Sequence, residues 1–476
     1  MPNHISARIW VRLASVAICL TAMGYAQQAS SLANTGEQPG QPLTPLERQL
    51  LDRIEKLEQR IAVLEAKSAT QVAPPSAPAP AVAAQAAPVQ NPAPASTPSE
   101  SGLPGILAGT TFNGYLDTYY AWNFNNPVAR VNLLRAYDVS SNAFSLNQAD
   151  LVIENAPDLE KGKRWGVRLD FQYGQATETL QGNAANELRP DVYRAVFQAY
   201  GTYVFPVGNG LTVDFGKWAS ALGYENNYTK DQMNYSRSFW FNFLPFYHMG
   251  ARVNYKVNSV LGLNYWIVNG TQQTEPTNGY KDEMFGLILQ PHKTLNWTIN
   301  YYIGQEHPNV IFNPPSPPPG LPTLQGTPIE PIPNAPQGKL HIFDSYATWQ
   351  PSNNLTFGLE GDYEIERLYT YSAPSHVDGG AIYARYQLTP KIAFVTRAEY
   401  FSDRGGLFSG VTQALKENTV TTQYKLADGF MLMGEWRRDF SNRPYFLTNI
   451  LGILKREQNT ATLGLIWWFG LKQGAW

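Results

Sequence analysis

Charged side chains occupy every second position along several extended stretches of the chain, and apolar residues fill the positions between them. Arg168 and Asp170, for example, alternate with Val167, Leu169 and Phe171. Charges of both signs on one polar face can bind and orient hydrated ions and small polar molecules. We predict that the following charged residues line a polar interior: Arg168, Asp170, Arg194, Asp214, Arg252, Lys256, Glu360, Asp362, Glu364, Arg385, Arg397, Glu399, Glu435 and Arg437. Taken singly, each of them is explained more simply as a solvated residue that pairs with its neighbour.

Four carboxylates stand at alternate positions within a single stretch: Glu360, Asp362, Glu364 and Glu366. In an extended strand these four side chains point to the same face, where they repel one another unless positive charges lie nearby. We therefore predict either a modest preference for cations or a facing strand that carries basic residues.

Groups suited to catalysis are scarce. The six histidines are scattered without metal-binding spacing, and the chain has neither a nucleophile elbow nor a phosphate-binding loop. The single cysteine, Cys19, lies in an apolar N-terminal run, so the rest of the chain has no thiol for a disulfide or a metal. We predict a protein that is not an enzyme and that needs no cofactor, metal or nucleic acid. A hydrolytic triad assembled from separate strands is the alternative that spacing leaves open.

Sixteen predicted strands position these side chains. Their spans are residues 111–123, 143–154, 164–175, 193–205, 211–219, 246–257, 260–269, 282–290, 294–305, 339–349, 354–367, 379–388, 391–401, 417–426, 429–440 and 458–470. Short connections such as 206–210 alternate with long ones, and a strand of about ten residues crosses a bilayer when it is tilted. The pattern predicts an all-β fold, a transmembrane antiparallel up-and-down β-barrel of about 16 strands with both termini in the periplasm.

Aromatic residues near the strand ends favour this membrane barrel over a soluble β-sandwich or propeller, whose strands are shorter. The final strand, Asn459 to Gly470, has an apolar face from Ala461 to Phe469, and we expect it to pair with the first strand and close the sheet. A barrel of sixteen strands is too wide for side chains to fill. The charged residues named above are therefore predicted to be pore-lining.

The third long connection, residues 219–245, is unusually aromatic for a loop exposed to water. We predict that it folds inward and narrows the pore, with Tyr235, Arg237, Phe239 and Trp240 near the constriction. The alternative is a loop that packs over the barrel rim or against a neighbouring subunit.

The N-terminal part of the chain differs in composition from the barrel. Residues 1–26 have the charge and apolar run of a signal peptide. Residues 43–67 have the heptad pattern of a periplasmic coiled-coil helix, which predicts a homo-oligomer, either a dimer or a trimer. Residues 68–109 form a Pro/Ala-rich linker that we expect to be disordered and extended, and residues 110–476 form the barrel.

Two stretches resemble a known family. They are F-S-L-N-Q-A-D-L at residues 144–151, and G-K-W-A-S-A-L-G-Y-E at 216–225, which leads into P-F-Y-H-M-G-A-R at 245–252. They are similar to the bacterial outer-membrane porins of the OmpL-like (beta-barrel porin-2) type. The resemblance implies an outer-membrane channel of a Gram-negative bacterium, surrounded by outer-membrane lipid, for passive diffusion of small hydrophilic solutes or ions. The alternative is a plugged surface barrel that acts as an adhesin or a structural protein through its long outer loops.

Overall fold

The computed structural model describes residues 109–181 and 186–472. The predicted signal peptide, coiled coil and nearly all of the predicted linker lie outside these residues. The strands of the described part are, in chain order, β1 Thr111–Asn123, β2 Ala143–Asn155, β3 Trp165–Tyr173, β4 Val196–Phe205, β5 Leu211–Ala219, β6 Tyr247–Lys256, β7 Leu261–Val268, β8 Asp282–His292, β9 Leu295–Gly304, β10 Val310–Phe312, β11 Thr323–Leu324, β12 Thr327–Pro331, β13 Leu340–Ser352, β14 Leu355–Glu366, β15 Ser375–Thr389, β16 Ile392–Asp403, β17 Gln413–Ala427, β18 Phe430–Ser441, β19 Phe446–Leu447, β20 Leu454–Lys455 and β21 Glu457–Gly470.

Sixteen of these strands form one closed antiparallel barrel in the order β1 to β9, β13 to β18 and β21. The predicted sixteen-stranded barrel is thus confirmed. Short helices also occur: α1 Gln175–Leu180, α2 Pro190–Tyr193, α3 Phe239–Phe243 and a 3₁₀ turn at Thr229–Asp231. Among the described residues, no helix is long and apolar enough to span a membrane.

The barrel closes at the seam between its first and last strands. β1 pairs with β21 from Asn113 opposite Gly470 to Asn123 opposite Thr460, as the apolar pattern of the last strand predicts. Gly114 stands opposite Phe469, and a Cβ atom at Gly114 would lie only 2.3 Å from the Phe469 ring. Glycine therefore leaves room for this ring where it crosses the seam. Every strand of the barrel has two neighbours, so the barrel has no free edge.

Most strands alternate between inward residues that are buried and outward residues that are more exposed. In β3 the inward residues Arg168, Asp170 and Gln172 are buried, whereas Trp165 and Val167 face outward. The outward apolar side chains form the surface that meets lipid, and the inward polar side chains face the barrel interior.

The connections are short at the end of the barrel that carries both termini and long at the other end. The long outer loops are L1 (124–142), L2 (174–195), L3 (220–246), L4 (269–281), L5 (305–339), L6 (367–374), L7 (404–412) and L8 (442–456). The proline-rich L5 contains a small antiparallel sheet in the order β10, β12, β11, which the sequence did not predict. Long outer loops and short periplasmic turns are the asymmetry expected of an outer-membrane barrel.

Candidate functional site: the barrel interior and loop L3

Loop L3 lies inside the barrel. The four residues predicted near a constriction, Tyr235, Arg237, Phe239 and Trp240, have exposed fractions between 0% and 1%. The loop contacts inward-facing residues of strands all around the wall, including Asp117 of β1, Asp170 of β3, Glu399 of β16 and Glu435 of β18. The residues that the sequence singled out therefore lie deep within the barrel.

Two wall glutamates hold the middle of L3 by its backbone. Glu399 accepts hydrogen bonds from the N–H groups of Phe239 and Trp240, both at 2.9 Å, and these are the first N–H groups of α3. The first N–H groups of a helix have no partner within the helix. The Ser238 hydroxyl caps one of them by accepting from Phe241 N, and Glu399 caps the two others. Glu435 likewise accepts from Tyr235 N at 2.7 Å and from Ser236 N at 3.0 Å.

The beginning of L3 is attached in the same way to the wall at β13 and β14. Asp344 of β13 accepts from Gly223 N at 2.9 Å, and Glu360 of β14 accepts from Tyr224 N at 2.8 Å. The second Glu360 oxygen accepts from the Tyr383 hydroxyl at 3.2 Å. Hydrogen bonds between a carboxylate and backbone N–H groups are charge-assisted, so these contacts fix the path of the loop across the interior.

Two wall arginines bind the carbonyl side of L3. Arg397 donates to Ser236 O at 2.8 Å and to the Glu225 carboxylate at 2.7 Å, and its Nε donates to Glu417 at 2.9 Å. Arg437 donates to the backbone carbonyl of Arg237, and its Nε lies 2.7 Å from the Asp439 carboxylate. The same Asp439 binds Arg135 of L1 at 2.8 Å. One buried network of charges thus holds both L1 and L3.

Arg237 organises L3 from within. Its guanidinium donates to three backbone carbonyls of the same loop, Asn226 O at 3.0 Å, Tyr235 O at 2.8 Å and Asn227 O at 2.9 Å. It also lies over the Tyr137 ring of L1, 4.8 Å from the ring centroid. These contacts keep the middle of L3 compact and packed against L1.

Strands β1 and β3 complete the hold on L3. Asp117 accepts from the Tyr235 hydroxyl at 2.8 Å and from the Thr229 hydroxyl at 2.5 Å. The Tyr228 hydroxyl lies between two predicted wall residues, accepting from Arg168 at 3.1 Å and donating to Asp170.

The other predicted wall residues occupy three different settings. Asp214 and Arg252 form an ion pair at 2.7 Å across β5 and β6, and Arg385 donates to Gln423 at 3.2 Å. Lys256 is the exposed last residue of β6. Arg194 precedes β4, which begins at Val196 rather than at residue 193. Its half-exposed side chain pairs with Asp191 and Glu178 in L2, apart from the wall residues that hold L3.

In the described part of the chain, no basic strand faces the carboxylates of β14. Among the described residues, Asp362 and Glu364 make no ion pair, and the residue directly opposite Asp362 on β13 is another carboxylate, Asp344. A facing basic strand, one of the two alternatives drawn from the sequence, is therefore not found in the described part of the chain.

Sequence reasoning missed several residues of the interior. Asp117, Asp344 and Glu417 hold the loop or its network, and strand alternation could have placed all three on the inward face. On that face Asp344 lies between Ile342 and Tyr346, so the sequence around it does not indicate a polar inward face. Arg135 and Glu225 lie in loops, where the sequence has no alternating pattern from which the direction of a side chain could be predicted.

The outer loops carry their own charged contacts. Arg189 of L2 donates to the Glu275 carboxylate of L4, and these hydrogen bonds hold the pKa of Glu275 below its ordinary value. Burial, together with the neighbouring Asp282 carboxylate, raises the pKa of Glu306 well above its ordinary value. Glu306 accepts from Thr271 N at 3.0 Å, which links L5 to L4.

A closed barrel of sixteen strands, with apolar side chains outside and charged side chains inside, defines a porin-like outer-membrane β-barrel. The family model described as "Putative beta-barrel porin-2, OmpL-like" matches residues 109–469. The chain belongs to this family, which is normally non-enzymatic, and the resemblance drawn from its motifs is confirmed.

Several solved structures are similar to the chain. One is a loop L8 deletion mutant of OmpT, an outer membrane protein of Vibrio cholerae, with 10% identity, a TM-score of 0.48 and coverage of 76% of this chain and 99% of that chain. Another is an anion-selective porin from Comamonas acidovorans, with 8% identity, a TM-score of 0.49 and coverage of 76% and 99%. A third is OprB of Pseudomonas putida, with 10% identity, a TM-score of 0.44 and coverage of 76% and 94%. No curated protein matches the sequence.

Proposed function

We propose that the chain is a porin through which small hydrophilic solutes or ions diffuse passively, with L3 as the element that limits their size. The observation that carries this proposal is the closed barrel whose inward positions hold charged side chains of both signs. Opposed carboxylates and guanidinium groups can replace part of the hydration shell of a passing solute. Tyr235, Arg237, Phe239 and Trp240 are then the constriction residues.

Selection by size follows from the way L3 is held. The loop bonds to Asp344 of β13, Glu399 of β16, Asp117 of β1 and Asp170 of β3, which lie far apart around the ring of strands, so it spans the interior rather than lining one side of it. Any path for water runs between this loop and the wall. We infer that the pore is narrow and that the solutes are small.

A plugged barrel is the second candidate function. The deep burial of L3, together with the burial of Arg135 and Tyr137 of L1, favours it. In that case the long outer loops, rather than the interior, would contact partners as those of an adhesin or a structural protein do.

Liposome swelling separates the two candidates. The full chain refolded into liposomes is expected to give swelling that is fastest with a pentose and falls steeply with disaccharides and trisaccharides. Protein-free liposomes and an impermeant polymer serve as controls. Absence of swelling with every sugar, combined with absence of ion conductance in planar bilayers, would establish the plugged barrel and refute the porin.

We further propose that chains associate through a periplasmic coiled coil at residues 43–67, as dimers or trimers. Leu50, Ile54, Leu57, Ile61 and Leu64 recur at alternating steps of four and three, which is the spacing of a coiled-coil seam. Chemical crosslinking of the full chain and of a chain lacking residues 43–67 tests this. The full chain should give oligomers and the shortened chain monomers. An identical pattern for both would show that residues 43–67 do not hold the chains together.

A further inference from the structure

Three buried carboxylates meet on the wall of the barrel beside the beginning of L3. Asp344 of β13 and Asp362 of β14 are direct cross-strand partners, and Glu360 stands two positions before Asp362 on the same face. One carboxylate oxygen from each residue lies within 4.8 Å of the other two. Like charges placed directly opposite each other on a sheet are destabilising, so this arrangement needs a positive charge.

The protein does not supply that charge from the described residues. None of the three carboxylates lies within ion-pair distance of a Lys, Arg or His nitrogen there. Their inward neighbours on the adjoining strands are Ile342, Tyr346, Val377 and Ala381, and the next carboxylate along β14 is Glu364. The positive charge must therefore be a proton or a bound cation.

The hydrogen bonds of the three residues are unequal, and the inequality points to a ligand. Asp344 and Glu360 each use both oxygens, with L3 backbone N–H groups and with Asn300 or Tyr383. Asp362 is only 5% exposed, yet among the described residues no N–H or O–H group of a neutral or basic residue donates to either of its oxygens. Its contact is with another carboxylate, that of Asp344. Buried polar atoms without partners are rare in native proteins unless they bind an ion or water.

We propose that Asp344, Glu360 and Asp362 bind a divalent cation, with calcium preferred over magnesium. Calcium takes six to eight oxygen ligands in a flexible geometry, whereas magnesium needs near-ideal octahedral geometry and usually keeps several waters beside one or two carboxylates, so a cluster of three protein carboxylates suits calcium better. Asp362 would offer both of its oxygens, Asp344 and Glu360 one each, and water would complete the shell.

The cation would also attach L3 to the wall. Asp344 and Glu360 hold Gly223 N and Tyr224 N, so an ion that draws these carboxylates together fixes the first turn of the loop. This inference goes beyond the proposed function, because passage of solutes does not require the ion.

Calorimetric titration with CaCl₂ tests the site. The full chain is refolded in detergent at neutral pH, cleared of metal with EDTA and then dialysed free of chelator. Wild type is expected to bind one calcium ion per chain, and magnesium more weakly. Asp362→Asn should weaken calcium binding about a hundredfold or more, because it removes the negative charge and one oxygen of a direct ligand rather than of an outer partner. Glu364→Gln is the matched control, a buried carboxylate on the same face of the same strand but outside the cluster, and should bind as wild type does.

Thermal unfolding guards against a variant that fails to fold. Calcium should raise the Tm of wild type and of Glu364→Gln, but not that of Asp362→Asn. In EDTA, Asp362→Asn should be at least as stable as wild type, because it removes repulsion between facing carboxylates. Absence of saturable calcium binding to folded wild type would show that protons neutralise the cluster. Equal binding by Asp362→Asn and wild type would place the ion elsewhere. Either result overturns the site.

Discussion

Deletion of residues 234–242 is expected to raise the single-channel conductance several-fold. This segment contains all four proposed constriction residues and most of α3, and it lies at the centre of the contacts that hold L3 to β16 and β18. The conductance of a water-filled pore grows with its open cross-section, and the deletion removes bulky aromatic side chains from that cross-section. The wall carboxylates released by the deletion would be hydrated by the water that replaces the loop.

The matched control is a deletion of equal length in another outer loop. Residues 314–322 of L5 also number nine and lie outside the strands. That deletion should leave the conductance in planar bilayers unchanged, because it removes no residue bonded to the inner wall. If both deletions left the conductance at the wild-type value in correctly folded protein, L3 would not limit the pore.

A single substitution provides a second approach that keeps the length of the chain. Gly464 of β21 faces the Tyr235 ring, and a Cβ atom there would lie 2.3 Å from it. Gly464→Val should therefore displace Tyr235 from Asp117 and raise the conductance, though less than the deletion does. Gly434→Val on the neighbouring strand is the control, because a Cβ atom at Gly434 meets nothing within 4 Å. Equal conductance of the two variants would argue against a constriction at Tyr235.

Local patterns were sufficient to predict the strands and their closure. Alternation of apolar and polar residues sets which face of a strand meets lipid, and turn residues set where it ends, so β1 and β5 match their predicted spans of 111–123 and 211–219. The inward direction of Arg397 and Glu399 depends on chemical contrast with their neighbours, a property that is encoded within a single strand. These features require no knowledge of distant parts of the chain.

Contacts across the interior could not be predicted in the same way. Glu399 accepts from the first N–H groups of α3, although Phe239 lies 160 positions away in sequence. Such a pairing depends on the register of all the strands between them and on the path of L3. For the same reason a strand start placed at residue 193 put Arg194 on the wall, whereas the helical turn of α2 leaves it in L2.

Arg397→Met is expected to lower the free energy of unfolding by about 3–5 kcal/mol, the cost of removing one partner from a buried ion pair. The arginine is completely buried and pairs with Glu225 at 2.7 Å and with Glu417 at 2.9 Å. Methionine fills much of the same volume but leaves both carboxylates in the interior without this counter-charge. The nearest remaining guanidinium, that of Arg437, is 3.8 Å from Glu417 and is already paired with Asp439.

Urea unfolding in lipid vesicles, followed by tryptophan fluorescence, measures this loss against a control on the neighbouring barrel surface. Arg438 pairs with Glu457, but the two side chains are 48% and 41% exposed, so Arg438→Met should cost no more than about 1 kcal/mol. Adding Glu225→Gln to Arg397→Met should recover part of the loss, because it removes one of the two uncompensated charges. Loss of the Arg397 bond to Ser236 O would remain in that double variant, so recovery should be incomplete. A loss for Arg397→Met no larger than that for Arg438→Met would show that the buried network does not stabilise the barrel and its inserted loop.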